Sequence, residues 1–111
     1  MNALKFQQMP AEQLKIDVQR RFAYTDHLMI VIVDFTGGPK KEPDPPHSHP
    51  HEQVTYVAEG EITFFMDDQE TRLCSGDVFL VPSGKMHTIQ LLSENARLID
   101  CFTPIREDFL K

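Results

Sequence analysis

Three of the chain's five histidines fall inside one pentapeptide, His47-Ser48-His49-Pro50-His51, followed directly by Glu52 and Gln53. No other stretch limits the fold as much. Side chains alternate with period two on extended backbone, so His47 and His49 share a face on a strand, whereas a helix or turn would separate them. Neutral imidazole is the commonest metal-ligating side chain. A fold organised on this stretch needs a sheet to carry the pair inward and a second segment to bring another donor opposite. Taken alone, the pentapeptide also fits a solvated histidine-rich loop that binds metal adventitiously, so the rest of the chain has to decide.

The rest reads as short strands. Leu14, Ile16 and Val18 alternate with Lys15, Asp17 and Gln19, which predicts one strand with a single buried face. Leu28 to Phe35 is almost continuously apolar and rich in β-branched residues, which predicts a strand buried on both faces. Gly37-Gly38-Pro39 ends it. The prolines at 43, 45 and 46 then make Lys40 to Pro46 an irregular loop leading into the histidines. Further strands are expected at Gln53 to Glu59, Glu61 to Met66, Gln69 to Leu73, Asp77 to Val81, His87 to Leu92 and Ala96 to Thr103. Pro10 to Gln13 reads as a short turn, and the tail from Pro104 has room for one helical turn. About eight short strands without a long helix specify an all-β sandwich or barrel, whose interior can hold one ligand or metal.

Composition narrows the function. The 111 residues suit one domain spanning 1–111. No apolar run reaches the length of a membrane span. A net charge of −6 argues against a nucleic-acid or anionic-membrane surface, yet one buried arginine would suffice for a small anionic ligand. Met1 to Met9 lacks a basic segment followed by an apolar core, so a cytoplasmic location is expected. Cys74 and Cys101 form no CxxC pair and are expected to be reduced and structural.

The second segment is Gly76 to His87, which reads G-x5-P-x-G-x2-H through Gly76, Pro82, Gly84 and His87. The first reads H-x-H-x3-Q-x6-G through His47, His49, Gln53 and Gly60. Together they resemble the two motifs of the cupin superfamily, here at 47–60 and 76–87. The resemblance implies a cupin-type jelly-roll β-barrel and a homodimer with exchanged terminal strands. It also implies a divalent transition metal held by His47, His49, Gln53 and His87. Two positions depart from the family pattern: Gln53 stands where a glutamate is usual, and Leu91 where an asparagine is usual. Glutamine still offers its amide carbonyl, and such a donor set suits Ni, Zn, Fe, Mn or Co. A neutral amide leaves more of the ion's charge unneutralised, which favours Lewis-acid over redox chemistry. His51 remains open as an alternative ligand, with Glu52 at the pocket rim.

The last strand carries the other informative pattern. Asp100 is the one charge in Leu98 to Pro104, and parity puts it with Phe102 on one face and Ile99 with Cys101 on the other. A carboxylate among apolar neighbours is costly unless paired, and burial raises its pKa. Asp100 therefore reads either as a structural partner of some donor or as a general acid or base facing the metal. Arg106 reads either as a plain surface arginine or as a fork for a carboxylate. The segment 100–109, Asp-x-Phe-x-Pro-x-Arg-Glu-Asp-Phe, taken with the histidine motif and Gln53, resembles the KdgF-type pectin-degradation proteins. That resemblance implies metal-dependent ring opening of 4,5-unsaturated uronates to 5-keto-4-deoxyuronate, as in pectin or alginate breakdown. It places Asp100, Phe102 and Arg106 beside the metal as catalytic pocket residues, acting on a small anionic sugar. A small metal-dependent cupin dioxygenase and a non-catalytic sugar-binding cupin are the competing readings.

Overall fold

The computed structural model describes residues 2–111; Met1, where the aperiodic N-terminal stretch begins, lies outside them. The fold is all-β. Its strands are β1 (Glu12–Lys15), β2 (Val18–Tyr24), β3 (Met29–Phe35), β4 (Glu52–Glu59), β5 (Glu61–Met66), β6 (Gln69–Cys74), β7 (Val78–Val81), β8 (His87–Leu91) and β9 (Ala96–Thr103). Short 3-10 turns occupy Phe6–Gln8 and Glu107–Leu110. A six-stranded antiparallel sheet runs β1-β2-β3-β9-β4-β7, and a three-stranded one runs β6-β5-β8. The two sheets do not close into one hydrogen-bonded barrel, so the jelly roll is an open two-sheet form.

Alternation along the strands sets what faces inward. On β4, Gln53, Thr55 and Val57 are buried, while Glu52, Val54 and Tyr56 are exposed. On β9, Ala96, Leu98 and Phe102 are buried, with Asp100 between them. The register pairs Gln53 with Phe102, Thr55 with Asp100 and Val57 with Leu98. One end of this inner face is therefore polar and the other apolar. The apolar end belongs to a core of Val57, Ile62, Phe64, Phe79, Val81, Leu91, Ala96 and Leu98. There Phe64 and Phe79 stack with ring centroids 4.2 Å apart. Each buried aliphatic or aromatic side chain contributes about 1.5–3 kcal/mol by leaving water. That core holds the sheets together while the polar end stays open for chemistry.

Three sequence expectations change. The alternation from Leu14 to Val18 is not one strand: β1 and β2 form a hairpin turning at Ile16 and Asp17. Ile16 is 97% exposed. Lys15 and Val18 face each other across this two-residue turn, which alone would switch parity; the irregularity between Gln13 and Lys15 switches it back, so the apolar period runs on unbroken. The turn is anchored because Asp17 accepts from the Thr36 amide and pairs through its carboxylate with Lys40. Secondly, β3 is buried on one face only, with Leu28 and Ile30 exposed on the other. Thirdly, Cys74 and Cys101 are unpaired as expected, but both are exposed and neither packs the core. The β4–β5 turn depends on Gly60. Its φ is +87°, and a Cβ there would stand 2.3 Å from the Asn95 carbonyl oxygen. Among the described residues no helix is long and apolar enough to cross a membrane.

Candidate metal centre

The two histidine segments are joined by backbone. His47 N–H donates to the His87 carbonyl at 3.0 Å, and His87 N–H donates back to the His47 carbonyl at 2.9 Å. The Pro82-Ser83-Gly84 turn is fastened to the first motif. Gly84 N–H donates to the His49 carbonyl at 2.9 Å, and the Ser83 hydroxyl to the Pro50 carbonyl at 2.6 Å. Gly84 holds a left-handed φ of +80°, which glycine adopts without strain. These links bring the rings of His47, His49 and His87 to centroid separations of 4.4, 5.1 and 5.8 Å. One ligand-capable nitrogen from each lies within 4.8 Å of the others, so the three can hold a metal ion. His49 and His87 are buried and His47 is exposed, which leaves one side open.

Hydrogen bonding within the site tests that fit. His87 donates from Nδ1 to the Lys85 carbonyl at 2.9 Å, which leaves Nε2 as a free lone pair. His49 stands 3.0 Å from an oxygen at each nitrogen: Nδ1 from the His51 carbonyl, Nε2 from Gln53 Oε1. A neutral imidazole carries one N–H and cannot donate to both. With Nδ1–H on the carbonyl, the Nε2 lone pair faces the lone pairs of the amide oxygen. The Gln53 amide is held in this orientation because its Nε2 donates to Thr55 Oγ1 at 2.8 Å and Asp100 Oδ1 at 3.3 Å. Turned over, it would set oxygen against carboxylate. A shared cation relieves the facing lone pairs, and two donors each about 2.1 Å from one ion can stand this far apart. The donor set therefore fits a divalent transition metal. Burial of His87, and at the exposed His47 the partial desolvation of its ring, push both imidazoles below the usual histidine value, favouring the neutral, ligating form.

Beside this group lies Asp100. Its Oδ1 accepts from the Thr55 hydroxyl at 2.6 Å and from the Gln53 amide. Burial drives the Asp100 carboxyl up to about 6, against the pull of those two bonds and of the Arg106 charge. Asp100 is thus paired with neighbouring donors, and it also lines the cavity. Phe102 is buried, edge-on to His49 with centroids 5.6 Å apart. The Arg106 guanidinium lies 5.0 Å from the Phe102 centroid and 4.4 Å from that of Phe109. Its fork is engaged by Asp108, Nε to Oδ1 at 3.1 Å and Nη2 to Oδ2 at 2.9 Å. That pairing holds the Asp108 carboxyl below its usual value.

A cavity of about 320 Å³ collects His47, Gln53, His87, Asp100, Phe102 and Arg106. His51 stands outside the histidine trio, its ring 5.7 Å from that of His49 and 6.4 Å from that of Phe102. Glu52 is exposed, as a rim residue would be. Sequence reasoning missed two residues here. Thr55 is 0% exposed and links Gln53 to Asp100; the signal was its parity with Gln53. Arg20 lines the cavity from β2, a strand whose neighbouring arginines masked its alternation.

Comparison with known proteins gives the family. The cupin domain profile matches residues 33–102. The chain is 35% identical over 103 residues to the pectin degradation protein KdgF of Dickeya dadantii, covering 91% of each chain. It superposes on the structure of KdgF from Halomonas sp. with a TM-score of 0.84 and 31% identity, covering 95% of this chain and 96% of the other. An RmlC-like cupin from Shewanella frigidimarina gives a TM-score of 0.87 and 32% identity, covering 98% and 96%.

Proposed function

This chain belongs to the cupin family, and from that premise we propose that it is an enzyme opening the ring of 4,5-unsaturated uronates in polyuronate breakdown. The observation that carries the reading is the Gln53 amide, which faces His49 with its oxygen and Asp100 with its nitrogen inside one cavity. Similarity to pectin degradation proteins over most of the chain supports the substrate class.

The substrate is a cyclic enol ether with a hemiacetal and a carboxylate. In opening, the anomeric hydroxyl loses a proton and the bond from the anomeric carbon to the ring oxygen breaks. The electron pair stays on that oxygen as an enolate. A proton added at carbon four then gives the ketone of a 5-keto-4-deoxyuronate. Atoms and electrons balance without an oxidant. A divalent metal held by His47, His49, His87 and Gln53 supplies Lewis-acid stabilisation of negative charge on a substrate oxygen. Asp100, with a carboxyl near 6, accepts a proton and returns it at neutral pH. Thr55 and Gln53 fix the orientation of that carboxyl. Phe102 forms an apolar floor for the sugar ring. Arg106, oriented by Asp108, adds positive charge beside Asp100.

A homodimer belongs to the same reading. Ile30, Cys101, Val54 and Leu80 form one row across β3, β9, β4 and β7, and Ile32, Ile99, Tyr56 and Val78 form the next. Several of these side chains are exposed in the single chain, and a second copy would cover them.

The test is loss of ultraviolet absorbance from unsaturated galacturonate on incubation with metal-loaded protein, with dissolved oxygen followed in parallel. Turnover without oxygen uptake is expected. Oxygen consumed in step with substrate, or no turnover by the metal-loaded protein, would overturn the assignment.

A further inference from the structure

We propose that Arg20 anchors the carboxylate of the ligand in this cavity and so sets its preference for acidic over neutral sugars. The inference takes its substrate class from the ring-opening reading, but the site itself stands on geometry.

Val18, Arg20 and Phe22 alternate onto the inner face of β2, and Arg20 lies opposite Val33 of β3, which lines the cavity with it. A charged side chain on the inner face of a strand is costly unless something there uses the charge. The Arg20 side chain is only 14% exposed. Its Nε donates to the Glu12 carboxylate, and its guanidinium lies 3.7 Å from the centroid of the Phe109 ring. Both contacts leave the end of the fork alone: among the described residues, neither terminal nitrogen of Arg20 meets a hydrogen-bond acceptor. A carboxylate is the group that a two-nitrogen fork binds best, because two parallel N–H bonds match its two oxygens.

Arg106 is less suited to that task. Asp108 already takes Nε and Nη2 of its fork, which leaves one terminal nitrogen. Net charge does not decide the matter: Lys15 pairs with Asp44, Arg20 with Glu12 and Arg106 with Asp108, so it is the two free terminal nitrogens of Arg20 that offer a carboxylate its site. Both guanidiniums lie against Phe109, so the C-terminal 3-10 turn holds them on the same wall. A uronate with its carboxylate on Arg20 would keep its ring within the cavity that Asp100 and the histidines share.

Calorimetry of metal-loaded protein with D-galacturonate and D-galactose reads this directly, beside turnover of unsaturated galacturonate. The wild type is expected to prefer the uronate, and Arg20→Met to lose about tenfold or more of that preference, as befits a charge-assisted bond. Its KM should rise while kcat changes less. Arg20→Lys keeps the charge but not the fork and should retain part of the preference. Absence of the preference in the wild type, or its persistence in Arg20→Met, would overturn the proposal. Should Arg20→Met fail to fold, an unchanged KM in Arg20→Lys would do the same. Arg20-dependent uronate binding without turnover would leave this anchor standing and remove the ring-opening reading. Turnover with a KM indifferent to Arg20 would do the reverse.

Discussion

Gln53→Glu changes a single heavy atom, Nε2 to oxygen, and reverses the polarity of the contact with Asp100. In the wild type that nitrogen donates to Asp100 Oδ1 at 3.3 Å. Two unit charges at that separation repel by about 5 kcal/mol at an effective dielectric near 20. The lost hydrogen bond adds about 1 kcal/mol. The pair escapes part of this by holding one proton between two acids, which moves one ionisation upward. In metal-free protein at pH 8 the variant should therefore be less stable by roughly 3–5 kcal/mol, a large share of the 5–15 kcal/mol typical of a domain. The sign with pH follows. A carboxyl whose folded pKa lies above its unfolded value stabilises the fold fully below the unfolded value and loses that contribution as pH rises through the folded one. The deficit should shrink as pH falls towards 5, and should also shrink when a divalent metal is added at pH 8. Urea unfolding followed by circular dichroism, with chelator present, measures it. Equal midpoints for wild type and variant at pH 8, or a deficit that ignores pH, would refute the idea that Gln53 is needed as the donor between the metal donors and Asp100.

Asp100→Asn removes a carboxyl raised to about 6. Metal-free Asp100→Asn should gain stability over wild type above pH 6, by on the order of 2–3 kcal/mol, and the gain should vanish as pH falls below 4. Its turnover should fall by about a hundredfold or more while bound metal is retained. Thr55→Val keeps the shape and removes the hydroxyl between Gln53 and Asp100; it should cost about 1–3 kcal/mol in urea unfolding and lower kcat more than metal content. Tyr56→Asp on the outer face should lower the sedimentation mass from dimer to monomer with turnover per chain retained in the folded fraction.

Much of the fold was legible because each strand from β4 onward is bounded by a turn with its own chemistry. Asp67 and Asp68, both at positive φ, close the β5–β6 hairpin, and Gly76 and Gly84 take left-handed positions flanking β7. Strands β5 and β9 begin and end where their alternation does. The N-terminal hairpin was not legible, since the irregularity between Gln13 and Lys15 offsets the parity change of the two-residue turn and leaves the apolar period intact while the chain reverses. The His47–His49 pair was legible from spacing, His87 through the resemblance of its motif to the cupin pattern, and the shared face of Asp100 and Phe102 from parity. The role of Gln53 was only half legible. Its amide oxygen was expected to serve as a donor, but its nitrogen is committed to Thr55 and Asp100, and that depends on a register between β4 and β9 set some 45 residues along the chain. Arg20 was hidden for a related reason. Arg20 and Arg21 are adjacent in sequence, with no pattern to tell them apart, yet one enters the cavity while the other binds the Phe6 and Met9 carbonyls.

The central claim is that His47, His49, His87 and Gln53 gather on one cation that the chemistry requires. Elemental analysis of the purified protein, with the rate on unsaturated galacturonate measured on the same samples, tests it most directly. About one equivalent of a first-row divalent metal per chain is expected, with the rate falling in proportion as chelation removes it and both lost together in His87→Ala. Full turnover by protein stripped of metal, or a metal content untouched by His87→Ala, would contradict it.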